Sequence, residues 1–294
     1  MNPNFFIVGG SKCGTTNISF YLNLHSQVFI SKLNEPYYFC KWDLPKDFKR
    51  ESMITDRKKY LELFKNAKKH KAIGEATPSY LHSPSAASKI RETFPDSKII
   101  ISIRNPIERA YSGYFSNEFM RKDELSFMDM IKLHKKIIDE KKFYIYNILE
   151  PGFYSKHIKR FQEYFEPDRI KIIIFEEYIK NIEKTITSIL EFLELDNNFQ
   201  FVEQPKKGYS VPKNQVSKLV LENKTIRKMS TILIPTLTRQ KLGDKFFLNE
   251  TDRPNMQERE RRFLKDIYQN EVKDLEEFLG KKLPWPDFYG KKFP

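Results

Sequence analysis

The chain has 294 residues, 39% of them hydrophobic and 31% charged, which is enough for one α/β domain with a sizeable core and fits a soluble globular protein without internal repeats or low-complexity tracts. Its formal net charge is +13, from Lys and Arg scattered along the whole chain. Most of that charge is a solvated surface, and the excess favours anionic partners such as a nucleotide, an acidic glycan or a membrane surface; no zinc-finger or RNA-recognition signature accompanies it, so no nucleic-acid partner is expected.

The N-terminus runs Met1-Asn2-Pro3-Asn4 into the apolar Phe5–Val8, with no basic leader and a run far too short to span a bilayer. A cytoplasmic location without stable membrane insertion is expected. Phe5–Val8 predicts a buried parallel strand, being continuous rather than alternating. A helix over Asn17–Asn23 follows at once. Val28–Ile30 and Ala72–Ile73 are weaker strands. Pro84, after Ser83, opens a helix over Ser85–Thr93, and Ile99–Ile103 is the next strand. Asn105 as cap and Pro106 at the first position predict a helix to about Phe119. Ser126 and Asp129 resemble a capping box for a helix to about Lys141. Helices over Gly152–Phe165 and Ile182–Glu194 flank a strand at Ile170–Phe175. Glu203–Asn214, rich in Pro, Lys and Gly, predicts a long functional loop, with no strands in the segment beyond it. Phe263, Leu264, Ile267, Tyr268, Val272, Leu275, Phe278 and Leu279 recur at helical spacing, and Gly280 supplies the stop. The alternation predicts one α/β domain, residues 1–294, with a central mainly parallel sheet flanked by helices.

The first strand ends in Gly9-Gly10-Ser11-Lys12-Cys13-Gly14-Thr15-Thr16 and a helix follows. Strand, glycine loop and helix N-terminus aim backbone N–H groups at one spot, which binds phosphate. The frame is that of a Walker A loop, except that Thr15 stands in the lysine's place and Lys12 lies inside the loop. A lysine there can instead meet a single 5′-phosphate and the bridging oxygen of a transferred group. Cys13 needs only to be small. A second strand ends in Arg104, and the helix after it carries Ser112 two turns on. That strand end is where ligands bind in open α/β sheets, and a guanidinium grips phosphate bidentately. The two cysteines, Cys13 and Cys40, form no C-x-x-C pair and point to neither a disulfide framework nor a thiolate metal site.

Gly10–Thr16 resembles the 5′-phosphosulfate loop of sulfotransferases that use 3′-phosphoadenosine-5′-phosphosulfate (PAPS). Arg104-Asn105-Pro106, with Arg109, Ser112 and Tyr114, resembles that family's 3′-phosphate motif. The resemblance implies a P-loop-like three-layer fold, with Ser11, Lys12, Cys13, Gly14, Thr15 and Thr16 on the 5′-phosphate and Arg104 and Ser112 on the 3′-phosphate. Glu35-Pro36-Tyr37-Tyr38-Phe39 is similar to the Lys-Glu-Pro segment of the heparan-sulfate-type and bacterial carbohydrate branch, where the Glu is the catalytic base. Here Asn34 replaces the lysine before it. Pro36 biases Glu35 toward extended backbone, projecting its carboxylate from a strand end. Glu75, Thr77, Pro78 and Tyr80 resemble a segment lining the acceptor cleft, so Glu75, Tyr80 and Tyr37 are expected to contact the acceptor. Lys207 and Gly208, with Lys206, sit where related enzymes close a basic loop over the nucleotide. Lys12 and Glu35 would be catalytic, and magnesium is not required because a sulfuryl group carries less charge than a phosphoryl group. A carbohydrate hydroxyl is the expected acceptor; an amine, or a lipid, polyketide or other small-molecule hydroxyl, are alternatives. Rival classes are a P-loop kinase, which needs a lysine at Thr15 and an Asp where the strand at 99–103 ends in Ser-Ile-Arg, and a polyanion-binding module.

Overall fold

In the computed structural model, residues 1–46, 48–116, 125–197, 201–202, 209–214, 217, 248–251 and 253–289 are described. Phe5, Phe6 and Ile7 form β1 (Phe5–Ile7) and are fully buried, since helices cover both faces of the sheet and leave no polar side for alternation. The same holds for Ile99, Ile100, Ile101 and Ile103 in β4 (Lys98–Ile103). The outer strands β2 (Val28–Ile30) and β5 (Ile170–Ile174) are only partly buried, and β3 (Ala72–Ala76) completes the sheet. The order is β2-β3-β1-β4-β5 and every pairing is parallel, with Phe5 opposite both Gly74 and Lys98.

That order fixes where a ligand can sit. The chain leaves β1 toward β2, returns through β3, then leaves β4 toward β5. The connections after β1 and β4 therefore diverge, opening a crevice at the carboxyl ends of these two neighbours. The helices over the sheet are α1 (Thr15–Leu22), α2 (Arg57–Glu62), α3 (Ala86–Thr93), α4 (Pro106–Tyr114), α5 (Phe127–Asp139), α6 (Tyr154–Gln162), α7 (Phe175–Lys180), α8 (Ile182–Phe192) and α9 (Glu258–Leu279). Asn105 caps α4 by accepting from the Ile107 amide with Pro106 in the first turn, and Ser126 caps α5 by accepting from the Asp129 amide. Leu264, Tyr268, Val272 and Leu275 form the buried stripe of α9, which ends before Gly280 at φ 65°.

Three expectations are corrected. α4 stops at Tyr114 rather than running on toward Phe119. β5 stops at Ile174 because Phe175 already opens α7. The stretch Glu203–Asn214 contains a strand, β6 (Tyr209–Pro212), and the segment beyond it supplies a partner, β7 (Leu248–Thr251), in an antiparallel pair with Tyr209 opposite Thr251. Both strands are four residues long and mix Pro, Asn, Glu and Thr with single apolar residues, so neither carries a strand period. The chain divides into two compact units, Met1–Phe201 with Glu258–Pro294 carrying the parallel sheet, and Val202–Gln257 carrying the β6–β7 pair.

Gly74 shows how closely the central strands approach. A β-carbon there would stand 2.6 Å from both the ring and the carbonyl oxygen of Phe5. Gly74→Ala is expected to lower stability by about 2–3 kcal/mol through overpacking, measured as a lower urea midpoint; an unchanged midpoint would contradict this packing.

Candidate active site

Between β1 and α1 the backbone enters the left-handed region at Gly10 (φ 22°), Lys12 (φ 70°) and Gly14 (φ 82°). Glycine makes two of these turns cheap, whereas Lys12 holds a sparsely populated conformation of the kind kept at binding sites. Gly14 caps α1 with neither a side-chain hydrogen bond nor an acidic residue in the first turn, so the first amides of the helix are open to an anion. A side chain at Gly14 would meet the Phe175 ring at 3.0 Å.

These groups open onto a cleft of about 490 Å³. Ser11, Lys12, Gly14, Thr15 and Thr16 line one side. Glu35, Tyr37 and Tyr146 line another, and Arg109 and Ser112 of α4 a third. Arg104 is not among the residues that line the cleft: its Nη1 donates to the Lys12 carbonyl at 3.2 Å, and its guanidinium lies 4.7 Å from the ring centre of Phe175, which does line it. Arg109 is 1% exposed, and its Nε has no hydrogen-bond partner among the described residues. A buried guanidinium nitrogen left unpaired beside Ser112 suits an anionic ligand. The loop and two polar residues of α4, Arg109 and Ser112, thus line one cleft.

Within Ser11–Thr16, Cys13 alone is absent from the cleft lining. It is fully buried, its thiol lies 3.7 Å from the Tyr154 hydroxyl, and burial pushes the thiol up to about 11. An expected contact of Cys13 with the nucleotide is therefore limited to its backbone, the thiol being enclosed. A β-carbon at Gly10 would stand 2.4 Å from its sulfur, so the loop closes only over a small residue here. Tyr154 also ties the loop to the end of β4, donating to the Arg104 carbonyl at 2.8 Å and accepting from the Arg104 amide at 3.3 Å.

Glu35 reaches the cleft by a different backbone than Pro36 suggests. Its φ is 51°, and Tyr37 follows at φ 54°. The Glu35 amide donates to the Ala76 carbonyl at 3.3 Å while the chain turns from β2 into the short helix Tyr38–Cys40, and this tertiary demand overrides the local bias toward extended backbone. Oε2 of Glu35 accepts from the Tyr37 hydroxyl, and Arg50 Nη1 stands 3.4 Å from it.

Glu75 and Tyr80 do not contact the cleft. Both are fully buried, and Glu75 accepts from Tyr60 at 2.8 Å, Thr77 at 2.5 Å and Tyr80 at 2.9 Å. The expected acceptor contacts at Glu75 and Tyr80 are corrected to a buried carboxyl–hydroxyl network. His82 does line the cleft, but burial pushes its imidazole down to about 3, and its Nε2 lies 3.2 Å from the Ile145 carbonyl. Lys207 and Gly208, with Lys206, lie outside the described residues. Among the described residues no group of three or more His, Cys, Asp or Glu side chains is arranged to hold a metal ion, and no helix is long and apolar enough to cross a membrane.

The family profile of the sulfotransferase domain matches residues 2–282. The chain belongs to the sulfotransferase family. It is 27% identical over 220 residues to a bifunctional heparan sulfate N-deacetylase/N-sulfotransferase 1 of Caenorhabditis briggsae, covering 70% of this chain and 25% of that protein. It is 31% identical over 143 residues to membrane-associated sulfotransferase kil1 of Dictyostelium discoideum, covering 47% of this chain and 29% of that protein. The chain therefore matches well under half the length of these curated relatives. Among solved structures, a sulfotransferase from Alicyclobacillus acidocaldarius superposes with a TM-score of 0.73 at 24% identity, over 96% of this chain and 98% of that one. A mouse sulfotransferase complexed with PAP superposes with a TM-score of 0.50 at 15% identity, over 95% of this chain and 88% of that one. Both share the sulfotransferase fold.

One cleft residue of this sulfotransferase, Tyr146, and its neighbour Arg50 had no signal in the sequence. Arg50 and Tyr146 come from irregular segments without motif or periodicity, and only the fold brings them to Glu35.

Burial pushes the Glu75 carboxyl up to about 7, against three accepted hydrogen bonds that pull it down. A carboxyl that holds its proton more tightly when folded stabilises the fold below its ordinary range, and that contribution is lost as pH rises through about 7. Wild-type protein is expected to lose about 2–3 kcal/mol between pH 4.5 and pH 8 that Glu75→Gln does not lose, read from urea midpoints; parallel pH profiles for the two proteins would contradict it.

Proposed function

We propose that this sulfotransferase moves the sulfuryl group of PAPS to a hydroxyl or amine of an acceptor, with Glu35 as general base. The observation that carries the proposal is that the Lys12 loop, Glu35 and Ser112 line one cleft, with Arg104 tied to that loop through the Lys12 carbonyl. A 5′-phosphate fits the loop and the open N-terminus of α1, and a 3′-phosphate fits Arg104 and Ser112. The PAP bound to a structural neighbour supports the same donor.

In the reaction, Glu35 takes the proton of the acceptor hydroxyl as its oxygen bonds to sulfur. The bond between sulfur and the 5′-phosphate oxygen breaks in line, and the electron pair stays on the phosphate. Lys12 and the first amides of α1 neutralise that growing charge, which is greatest in the transition state. At neutral pH His82 is a poor base, since its imidazole is held far below the working range. For the acceptor, the names of two relatives, a heparan sulfate N-sulfotransferase and mouse carbohydrate sulfotransferase 15, support a carbohydrate. The β6–β7 unit is read as an insertion within a single sulfotransferase domain, supported by a family match that runs through it.

Calorimetry and turnover test this. Arg104→Ala is expected to weaken 3′,5′-ADP binding by about 2–4 kcal/mol while leaving 5′-AMP binding unchanged. Glu35→Gln is expected to lower kcat about 10²–10⁴-fold with 3′,5′-ADP affinity intact. Equal wild-type affinities for 5′-AMP and 3′,5′-ADP would remove the 3′-phosphate site, and a fully active Glu35→Gln would remove the base.

A further inference from the structure

A glutamate carboxylate turns about its last bond with little preference, so a general base on a loop needs something to decide which oxygen meets the substrate. Here the two oxygens of Glu35 are treated differently. Oε2 accepts from the Tyr37 hydroxyl and faces Arg50 Nη1 at 3.4 Å, whereas Oε1 has no hydrogen bond among the described residues.

Arg50 is itself fixed. Its Nη1 donates to the Tyr37 hydroxyl at 2.6 Å and its Nε to the Tyr146 hydroxyl at 3.1 Å. Its guanidinium lies 5.2 Å from the ring centre of Tyr37 and 5.5 Å from that of Tyr146. Phe48, two residues before Arg50, packs between the same rings at 5.9 and 5.8 Å. The planar guanidinium thus joins three segments of chain, two of which line the cleft through Tyr37 and Tyr146: the loop after β2, the segment before α2 and the segment after α5. Tyr37 pays for its place with a left-handed φ of 54°, next to Glu35 at 51°.

We propose that Arg50 and Tyr37 are positioning residues which hold Oε2 of Glu35, leaving Oε1 as the atom that receives the acceptor's proton. Tyr37, expected from the sequence to touch the acceptor, instead acts on the base; with 2% exposure it has little surface to offer a substrate. The proposal rests on Glu35 being the base. The acceptor's proton moves to Oε1 as the sulfur–oxygen bond forms, and the Oε2 contacts persist throughout.

The test is a double-mutant cycle on kcat with the full chain, 3′,5′-ADP affinity by calorimetry serving as a check on the donor site. Arg50→Ala is expected to lower kcat about 10- to 100-fold with 3′,5′-ADP affinity within about twofold. Arg50→Lys, which keeps a cation near Oε2, is expected to recover most of that loss. In the Glu35→Gln background, Arg50→Ala should cost little more, because a residue that acts through the base has nothing left to position. The same factor of loss in both backgrounds, or wild-type kcat in Arg50→Ala, would overturn the positioning role while leaving the base intact. Full activity in Glu35→Gln alone would instead overturn the base, and the proposal with it. Should Arg50→Ala fail to fold, Tyr37→Phe removes only the hydroxyl and is read in the same cycle, with the same two results deciding.

Discussion

Ser102 Oγ donates to the Cys13 carbonyl at 2.6 Å, and this bond joins the last turn of β4 to the loop that follows β1. It is possible only because β1 and β4 are neighbours in the sheet. The rest of the site follows from that adjacency. The loop presents Lys12 and the N-terminus of α1, and the next strand end presents Arg104 beside it, near enough to donate to the Lys12 carbonyl. Tyr154 braces the same junction from α6, touching both Cys13 and the Arg104 backbone. The loop after β1 and the end of β4 thus meet because two strands pair, and hydrogen bonds to backbone groups hold them together.

The neighbouring strand β3 supports the cleft from behind. The spacing of Glu75, Thr77 and Tyr80 is that of a hydrogen-bonding set: both hydroxyls donate to the one carboxylate, and Tyr60 of α2 adds a third donor. Tyr80 in turn accepts from the Phe39 amide at 3.3 Å, which fixes the short helix after Tyr37. The buried carboxyl therefore braces, through Tyr80, the segment that follows Glu35. Glu75 and Tyr80 of this stretch are thus buried in the interior, while Pro78 and Ser79 line the cleft.

The parallel sheet and the phosphate loop were legible in the sequence because their signals are local: continuous apolar runs for β1 and β4, and a glycine spacing that forces left-handed turns at Gly10 and Gly14. Asn105 and Pro106 marked the start of α4 for the same reason. What stayed hidden depends on distant parts of the chain. Pro36 pointed Glu35 toward extended backbone, and the amide bond to Ala76 outweighed it. Arg50 lies in a segment with neither period nor motif, and its role exists only once Tyr37 and Tyr146 are brought to it. β6 and β7 are too short and too polar to announce themselves apart from each other.

A crystal structure with 3′,5′-ADP bound tests the two-phosphate cleft most directly. Sulfuryl transfer from PAPS at this site requires the 5′-phosphate on the amides of residues 12–16 with Lys12 against it, the 3′-phosphate between Arg104 and Ser112, and Oε1 of Glu35 facing the vacant sulfuryl position. A nucleotide whose 3′-phosphate points to solvent, or one seated away from the α1 N-terminus, would contradict it.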